Sequence, residues 1–213
     1  MTARLSPLLV TAVAAIAAPA LALAQTVEPV RAGDRTLGSE TAPVTLTVYL
    51  STTCSHCAAW HNDDFPAFKA RWVDTGKVRV AFRDLPTNPP QVAIAGAVMA
   101  RCAPEEKYDD VLDALFRNQA QLFAQPGPPP PQTVVGWLAA GGAAGGLTRE
   151  QMSTCFANQA HFTEVEARAE QSFADGVEGT PSFFINGQRT PETMPAWDVA
   201  AFEPLIQPLI DSR

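Results

Sequence analysis

Only three histidines and four methionines occur in 213 residues, and they are scattered along the chain. A copper-handling protein would gather such ligands about the ion, so that function is disfavoured. Basic charge is scarce as well: 15 Lys and Arg stand against 22 Asp and Glu, a net charge of −7 with no basic cluster. No nucleic-acid partner is therefore expected. Beyond residue 24 no apolar run is long enough to span a bilayer, and no internal repeat is found. No cysteine directly follows residue 24, which argues against a lipid-anchored lipoprotein.

What is present begins with Arg4 and an apolar stretch from Pro7 to Ala24 that closes on Ala22-Leu23-Ala24, a small-x-small cleavage pattern. This predicts a signal peptide over residues 1–24, cleaved after Ala24, with a mature chain starting at Gln25. A membrane anchor is the rival reading. The alanine-rich composition and Pro19 speak against it. Removing Arg4 with the signal leaves a net charge near −8 on about 189 residues, enough for one domain or one domain with a sizeable insertion. Four cysteines in an exported chain imply disulfides or a redox site.

Residues 25–42 are rich in Gly, Thr, Glu and Pro; only Val27-Glu28-Pro29-Val30 looks briefly extended, so the segment reads as a lead-in. Thr45 to Leu50 alternates and is rich in β-branched residues, the mark of a strand. Ser51-Thr52-Thr53 offers N-cap chemistry for a helix starting near Cys54. Phe65, Phe68 and Trp72 share a helical face as core contacts, and Pro66 is expected to kink that helix. Gly76 ends it, and Val78 to Phe82 reads as a second strand, giving a right-handed βαβ unit with parallel strands over 43–88. Residues 89–175 read as an inserted helical domain, helical from Pro90 to about Phe123 and from Thr133 to Asp175. The proline-rich run from Gln125 to Pro131 between them is a stiff surface connection. Residues 176–213 return to strand chemistry: Pro181 to Ile185, the hairpin dipeptide Asn186-Gly187, then Gln188-Arg189-Thr190, with a last helix from about Ala196 to Ile210.

Cys54-Ser55-His56-Cys57 follows a strand and opens a helix, the context that makes C-x-x-C specific for redox work. Unpaired N–H groups and the dipole at a helix N-terminus favour a thiolate, so Cys54 is the expected nucleophile. Cys57, one turn on, is the expected resolving thiol. His56, when protonated, would add a stabilising charge. Two rivals are weaker: a plain structural disulfide would not need the strand-to-helix context, and a zinc site built on Cys54, Cys57 and His61 lacks a second C-x-x-C, since Cys102 and Cys155 do not supply one. No metal and no cofactor is expected. Gly179-Thr180-Pro181 stands before a hydrophobic strand, where Thr-Pro can adopt the cis form and expose the preceding backbone to an extended client.

The run Tyr49 to Cys57, Arg83-Asp84-Leu85-Pro86, the helical insertion and Gly176 to Gly187 together resemble the DsbA-like branch of the thioredoxin family, over nearly the whole mature chain. The resemblance implies an α/β thioredoxin fold with an inserted α-helical domain and a cis proline at Pro181. It implies oxidation of reduced or unfolded exported proteins in the periplasm, and re-oxidation by a membrane quinone-linked partner. Two positions depart from the familiar pattern: Ser55 replaces proline before His56, and Thr180 stands where well-known oxidases carry valine. Relatives with a second, non-catalytic disulfide suggest that Cys102 pairs with Cys155, two buried free thiols being the alternative. An isomerase or reductase of the same fold remains open. Dimeric and trimeric members with those activities carry an N-terminal oligomerisation segment, and the eighteen residues from Gln25 to Ala42 are too short for one, which favours a monomeric oxidase. A client-holding module without turnover is the alternative from another class.

Overall fold

The computed structural model describes residues 26–212 except 192, 193 and 195. The expected signal peptide and its cleavage site lie outside these residues. Five strands form one sheet: β1 (Arg35–Leu37), β2 (Val44–Leu50), β3 (Val78–Asp84), β4 (Ser182–Ile185) and β5 (Gln188–Arg189), in the order β1-β3-β2-β4-β5. The two central strands run parallel with Val44 opposite Val78 and Leu50 opposite Asp84, while β4 lies antiparallel on the other side of β2. Asn186 and Gly187 both adopt positive φ, 48° and 81°, the backbone that a two-residue hairpin turn requires.

Alternation along β2 sorts its side chains to two faces. Val44, Leu46, Val48 and Leu50 enter the main core with Phe183 and Ile185 of β4 and Phe202 and Ile206 of the last helix, α8 (Val199–Asp211). The segment between β2 and β3 covers that face with Trp60, Phe65, Phe68 and Trp72, none more than 2% exposed. Each such side chain contributes roughly 1.5–3 kcal/mol by burial. This segment is not a single kinked helix. It alternates α1 (Ser55–Ala59) and α2 (Phe65–Phe68) with wide π turns over Trp60–Asp64 and Lys69–Val73. The first wide turn ends with the Phe65 N–H bonded to Trp60 O, immediately before Pro66, which has no N–H to continue an ordinary ladder. α8 starts three residues later than Ala196 because Asp198 caps it, its carboxylate accepting the Ala201 N–H at 2.9 Å.

The helical residues between β3 and β4 comprise α3 (Pro90–Cys102), α4 (Tyr108–Arg117), α5 (Pro131–Ala144), α6 (Arg149–Ala157) and α7 (Gln159–Ala174). No helix among the described residues is long and apolar enough to cross a membrane. Gly96 of α3 sits where a Cβ would fall 2.3 Å from Thr52 Oγ1 and 2.5 Å from the Trp137 ring, so only glycine lets α3 lie this close to the turn after β2.

The second face of the sheet carries Tyr49, Phe184, Leu85, Val177 and Val27. The expected lead-in belongs to it: Val27 is buried, and β1 is an edge strand on β3 that the sequence reading missed. A polar network fixes this segment. Arg83 donates to the Asp34 carboxylate, to Tyr49 Oη at 2.9 Å and to Glu28 O; Tyr49 donates to Asp175 at 2.7 Å, and Asp175 also accepts two bonds from Arg31 at 2.6 Å. Arg101 pairs with Asp84 beside it, with both side chains at most 5% exposed. Buried pairs are satisfied only as pairs, so removing one member strands a charge. Asp34→Ala should therefore lower the unfolding free energy by about 3–5 kcal/mol, read as a lower urea midpoint at unchanged slope. A loss within error of zero would show that the Arg83 pair does not anchor the lead-in.

Cys102 and Cys155 form a disulfide, their Cα atoms 6.1 Å apart. Both are half-buried rather than buried. Cys102 is the last residue of α3 and Cys155 lies in the last turn of α6, ends where the helix dipole disfavours negative charge. Poor thiolate leaving groups make a disulfide slow to exchange and hard to reduce. Under graded reduction, the Cys102–Cys155 peptides should stay joined after Cys54 and Cys57 have become free to alkylate. Loss of both bridges at the same reductant concentration would refute this.

Candidate active site

β2 delivers the chain to a turn, Ser51-Thr52-Thr53-Cys54, closed by a bond from the Cys54 N–H to Ser51 O at 3.1 Å. The hydroxyls expected to cap the helix do other work. Ser51 Oγ accepts from the Thr87 N–H at 3.0 Å and from the Thr87 hydroxyl at 2.9 Å, and Thr52 Oγ1 donates to Ala93 O at 3.1 Å. They tie the turn to the loop after β3 and to α3. The cap is Cys54 itself, with φ −81° and ψ 120°, whose sulfur accepts the Cys57 N–H at 3.4 Å. A polar atom at this position satisfies one of the N–H groups that every helix start leaves unpaired, and a thiolate does so better than a thiol.

Cys54 and Cys57 are both free thiols in this structure and differ sharply in environment. The Cys54 pKa is lowered to about 5, first by a hydrogen bond from the Cys57 thiol, then, against the cost of burial, by Thr180 and by the backbone N–H groups of Cys57 and His56. Burial pushes the Cys57 thiol, 1% exposed, well above its usual value, and its bond to Cys54 adds to the effect. His56 thus contributes through its backbone. Its ring is exposed and lies edge-on to Trp197, with centroids 6.4 Å apart.

The Thr180–Pro181 peptide is cis, as is Asn88–Pro89. Thr180 O lies 3.2 Å from Cys54 Sγ, which places the start of β4 directly against the thiol. The Thr180 hydroxyl is buried with no hydrogen-bond partner among the described residues. Beside Pro181 opens a cleft of about 240 Å³ lined by Phe183, Arg189, Thr190, Met194 and Trp197. Trp197 packs on Phe183 at 5.8 Å and is held by a bond from Trp60 Nε1 to its carbonyl at 3.2 Å. Trp197 was not singled out in the sequence, where it stands at the start of the expected last helix; it in fact precedes α8. Gln119 was missed too: it is 4% exposed, and its Nε2 donates to Thr52 O at 2.8 Å and to Cys54 O at 3.0 Å. His61, weighed as a zinc ligand, is buried between Phe65 and Phe116 and faces Asp109 at 3.4 Å. It belongs to the seam between the C-x-x-C segment and α4. His161 lies on α7, within reach of Asn158 at 3.3 Å.

A dithiol at a helix N-terminus, beside a cis proline on a sheet of this order, defines a thioredoxin-fold protein. The family described as Thioredoxin matches residues 31–202, and the chain belongs to it. Among solved structures, α-DsbA1 of Wolbachia pipientis superposes with a TM-score of 0.74 over 87% of this chain and 97% of that one, at 20% identity. BdbD of Bacillus subtilis gives 0.67 over 88% and 98%, at 19% identity. In sequence, a Rickettsia typhi protein named "Putative protein-disulfide oxidoreductase" is 28% identical over 74% of this chain. The chain spans 56% of that relative's length. Disulfide bond formation protein D of Bacillus subtilis is 23% identical over 75% of this chain and 70% of that protein.

The depressed Cys54 pKa has a signed consequence. A thiol that binds its proton less tightly when folded stabilises the reduced fold fully above the free value of about 8.5, and this gain is lost as pH falls through about 5. Reduced protein should therefore gain stability on going from pH 5 to pH 8, beyond any change in the oxidised form. Ultraviolet thiolate absorbance should show one titration near pH 5, assigned to Cys54, with Cys57 silent. A single transition near the free-cysteine value would contradict the site as described.

Proposed function

We propose that this protein is an exported thiol–disulfide oxidoreductase that works mainly as a dithiol oxidase through Cys54 and Cys57. The observation that carries the reading is the contrast within the pair, a stabilised thiolate at Cys54 beside a buried thiol at Cys57. Stabilising the reduced form makes the Cys54–Cys57 disulfide an oxidant. In the reaction, a client thiolate attacks Cys54 Sγ and the Cys54–Cys57 bond breaks, leaving Cys57 reduced and a mixed disulfide. The client's second thiolate then attacks its own sulfur in that bond and expels the Cys54 thiolate. The client loses two electrons and the protein gains them.

Pro181 and the backbone of Thr180 are the proposed docking strip for an extended client segment, with the cleft beside Trp197 opening next to it. A folded client would not present such a segment, so the substrates are reduced or unfolded exported proteins. In this reading residues 1–24 direct export and are removed after Ala24, the working place is the periplasm, the protein is a monomer, and a membrane quinone-linked protein restores the disulfide. The bounds 43–88, 89–175 and 176–213 remain the proposed division into sheet portions and inserted helical domain, with 25–42 as lead-in. Thr180 favours a second reading, a milder oxidant with isomerase or reductase character, because its buried hydroxyl replaces an apolar side chain beside the sulfurs.

Two experiments separate these outcomes. Cys54→Ser should abolish exchange, while Cys57→Ser should accumulate mixed disulfides with clients that have no second thiol in reach, because Cys57 can no longer attack Cys54 Sγ and free them; equal trapping by both variants would void the assigned roles. The wild-type protein should oxidise a reduced, unfolded client rapidly and repair a scrambled one poorly. Efficient repair of the scrambled client would favour the second reading.

A further inference from the structure

Gln119 reaches the nucleophile's turn from outside the sheet. It opens a 3₁₀ turn, Gln119–Phe123, between α4 and the proline-rich connection, far from Cys54 in sequence. Its carboxamide faces two carbonyl oxygens, those of Thr52 and Cys54, at 2.8 and 3.0 Å. Carbonyls only accept, so the –NH₂ end must point inward with both of its protons engaged. Cys54 O already accepts the Ala58 N–H at 3.1 Å, the first bond of α1, and thus takes two donors.

These carbonyls belong to the Thr52–Thr53 and Cys54–Ser55 peptides, so the bonds hold the planes that bracket Thr53 and Cys54. The plane after Cys54 sets ψ of the capping residue and hence the aim of its sulfur at the Cys57 N–H. The same oxygens carry partial negative charge close to the place where the thiolate forms, and paired N–H groups offset it. We propose that Gln119 is a positioning residue for the nucleophile: its carboxamide clamps the Thr52–Cys54 turn so that Cys54 Sγ stays on the helix N-terminus, and the helical insertion thereby acts on the reacting sulfur. This deepens the proposed function and rests on Cys54 as the nucleophile.

The test compares Gln119→Leu, which keeps the volume and removes the donors, with Gln121→Leu on the same turn. Gln121 is exposed, bonds only its neighbour Asn118, and serves as the control. Thiolate absorbance of the reduced proteins against pH should show the Cys54 midpoint of Gln119→Leu raised by about one pH unit or more, with Gln121→Leu unchanged. The equilibrium with glutathione should shift toward a weaker oxidant by about tenfold for each unit. An unmoved midpoint in folded Gln119→Leu overturns the inference. If that variant does not fold, the Gln119 side-chain N–H₂ resonances of the wild-type protein decide: they should move with the Cys54 midpoint, and resonances constant across that transition overturn it equally. Failure of the oxidase reading is a separate result, seen as absence of client oxidation by wild-type protein, and leaves the titration readable.

Discussion

The site depends on one electrostatic fact: a helix that begins at Cys54 leaves N–H groups without intrahelical partners, and the group that caps them is sulfur. Serine or aspartate would satisfy the same N–H groups without redox chemistry. A thiol does so weakly, and a thiolate well, so the demand of the helix start becomes a bias on the ionisation of Cys54. Cys57, one turn into the helix, finds no such help and is held neutral by burial. Only three peptide bonds separate the two residues, yet their sulfurs occupy opposite electrostatic settings, which is the asymmetry that the proposed exchange reaction uses.

Keeping that cap in place is a task for most of the molecule. The parallel β2 and β3 end together, at Leu50 and Asp84, so the turns after them lie side by side and Ser51 can bond Thr87. Gly96 lets α3 press on Thr52, and Gln119 holds the carbonyls of Thr52 and Cys54. From the other side Thr180 O closes on the sulfur. On the far face of the sheet, the chain of Arg31, Asp175, Tyr49, Arg83 and Asp34 fixes the ends of β2 and β3 against the lead-in and α7. Ion pairs of this kind add little over an apolar core, but they are directional, and a register shift would leave charges stranded.

Much of this was legible because it is carried by local pattern. β2, β3 and β4 announce themselves by alternation, Asn186-Gly187 by its positive φ requirement, and Cys54 and Cys57 by standing between a strand and a helix. The parts that escaped are those decided by tertiary contact. Arg35-Thr36-Leu37 is too short to show a period and becomes β1 only because β3 offers an edge. Gln119 looks like any polar residue near a helix end, since nothing local reveals that two carbonyls 67 and 65 residues upstream will face it. The hydroxyls of Ser51, Thr52 and Thr53 have cap chemistry, and that chemistry was read correctly as a type but assigned to the wrong partner: the helix starts one residue later and takes the cysteine. His56 shows the same limit, since nothing local reveals that its ring meets Trp197 edge-on.

The four cysteines make the point about helix ends a second time. Cys54 caps a helix start, where the dipole invites negative charge; Cys102 and Cys155 stand at helix finishes, where it repels it. A sulfur at a start is a good leaving group and its disulfide opens readily, whereas a sulfur at a finish is a poor one and its disulfide persists even when half-exposed. Accessibility alone would rank the pairs differently, since Cys57 is more deeply buried than either Cys102 or Cys155. Position on the helix, rather than depth in the protein, is therefore what separates a pair suited to exchange from a pair suited to holding α3 against α6.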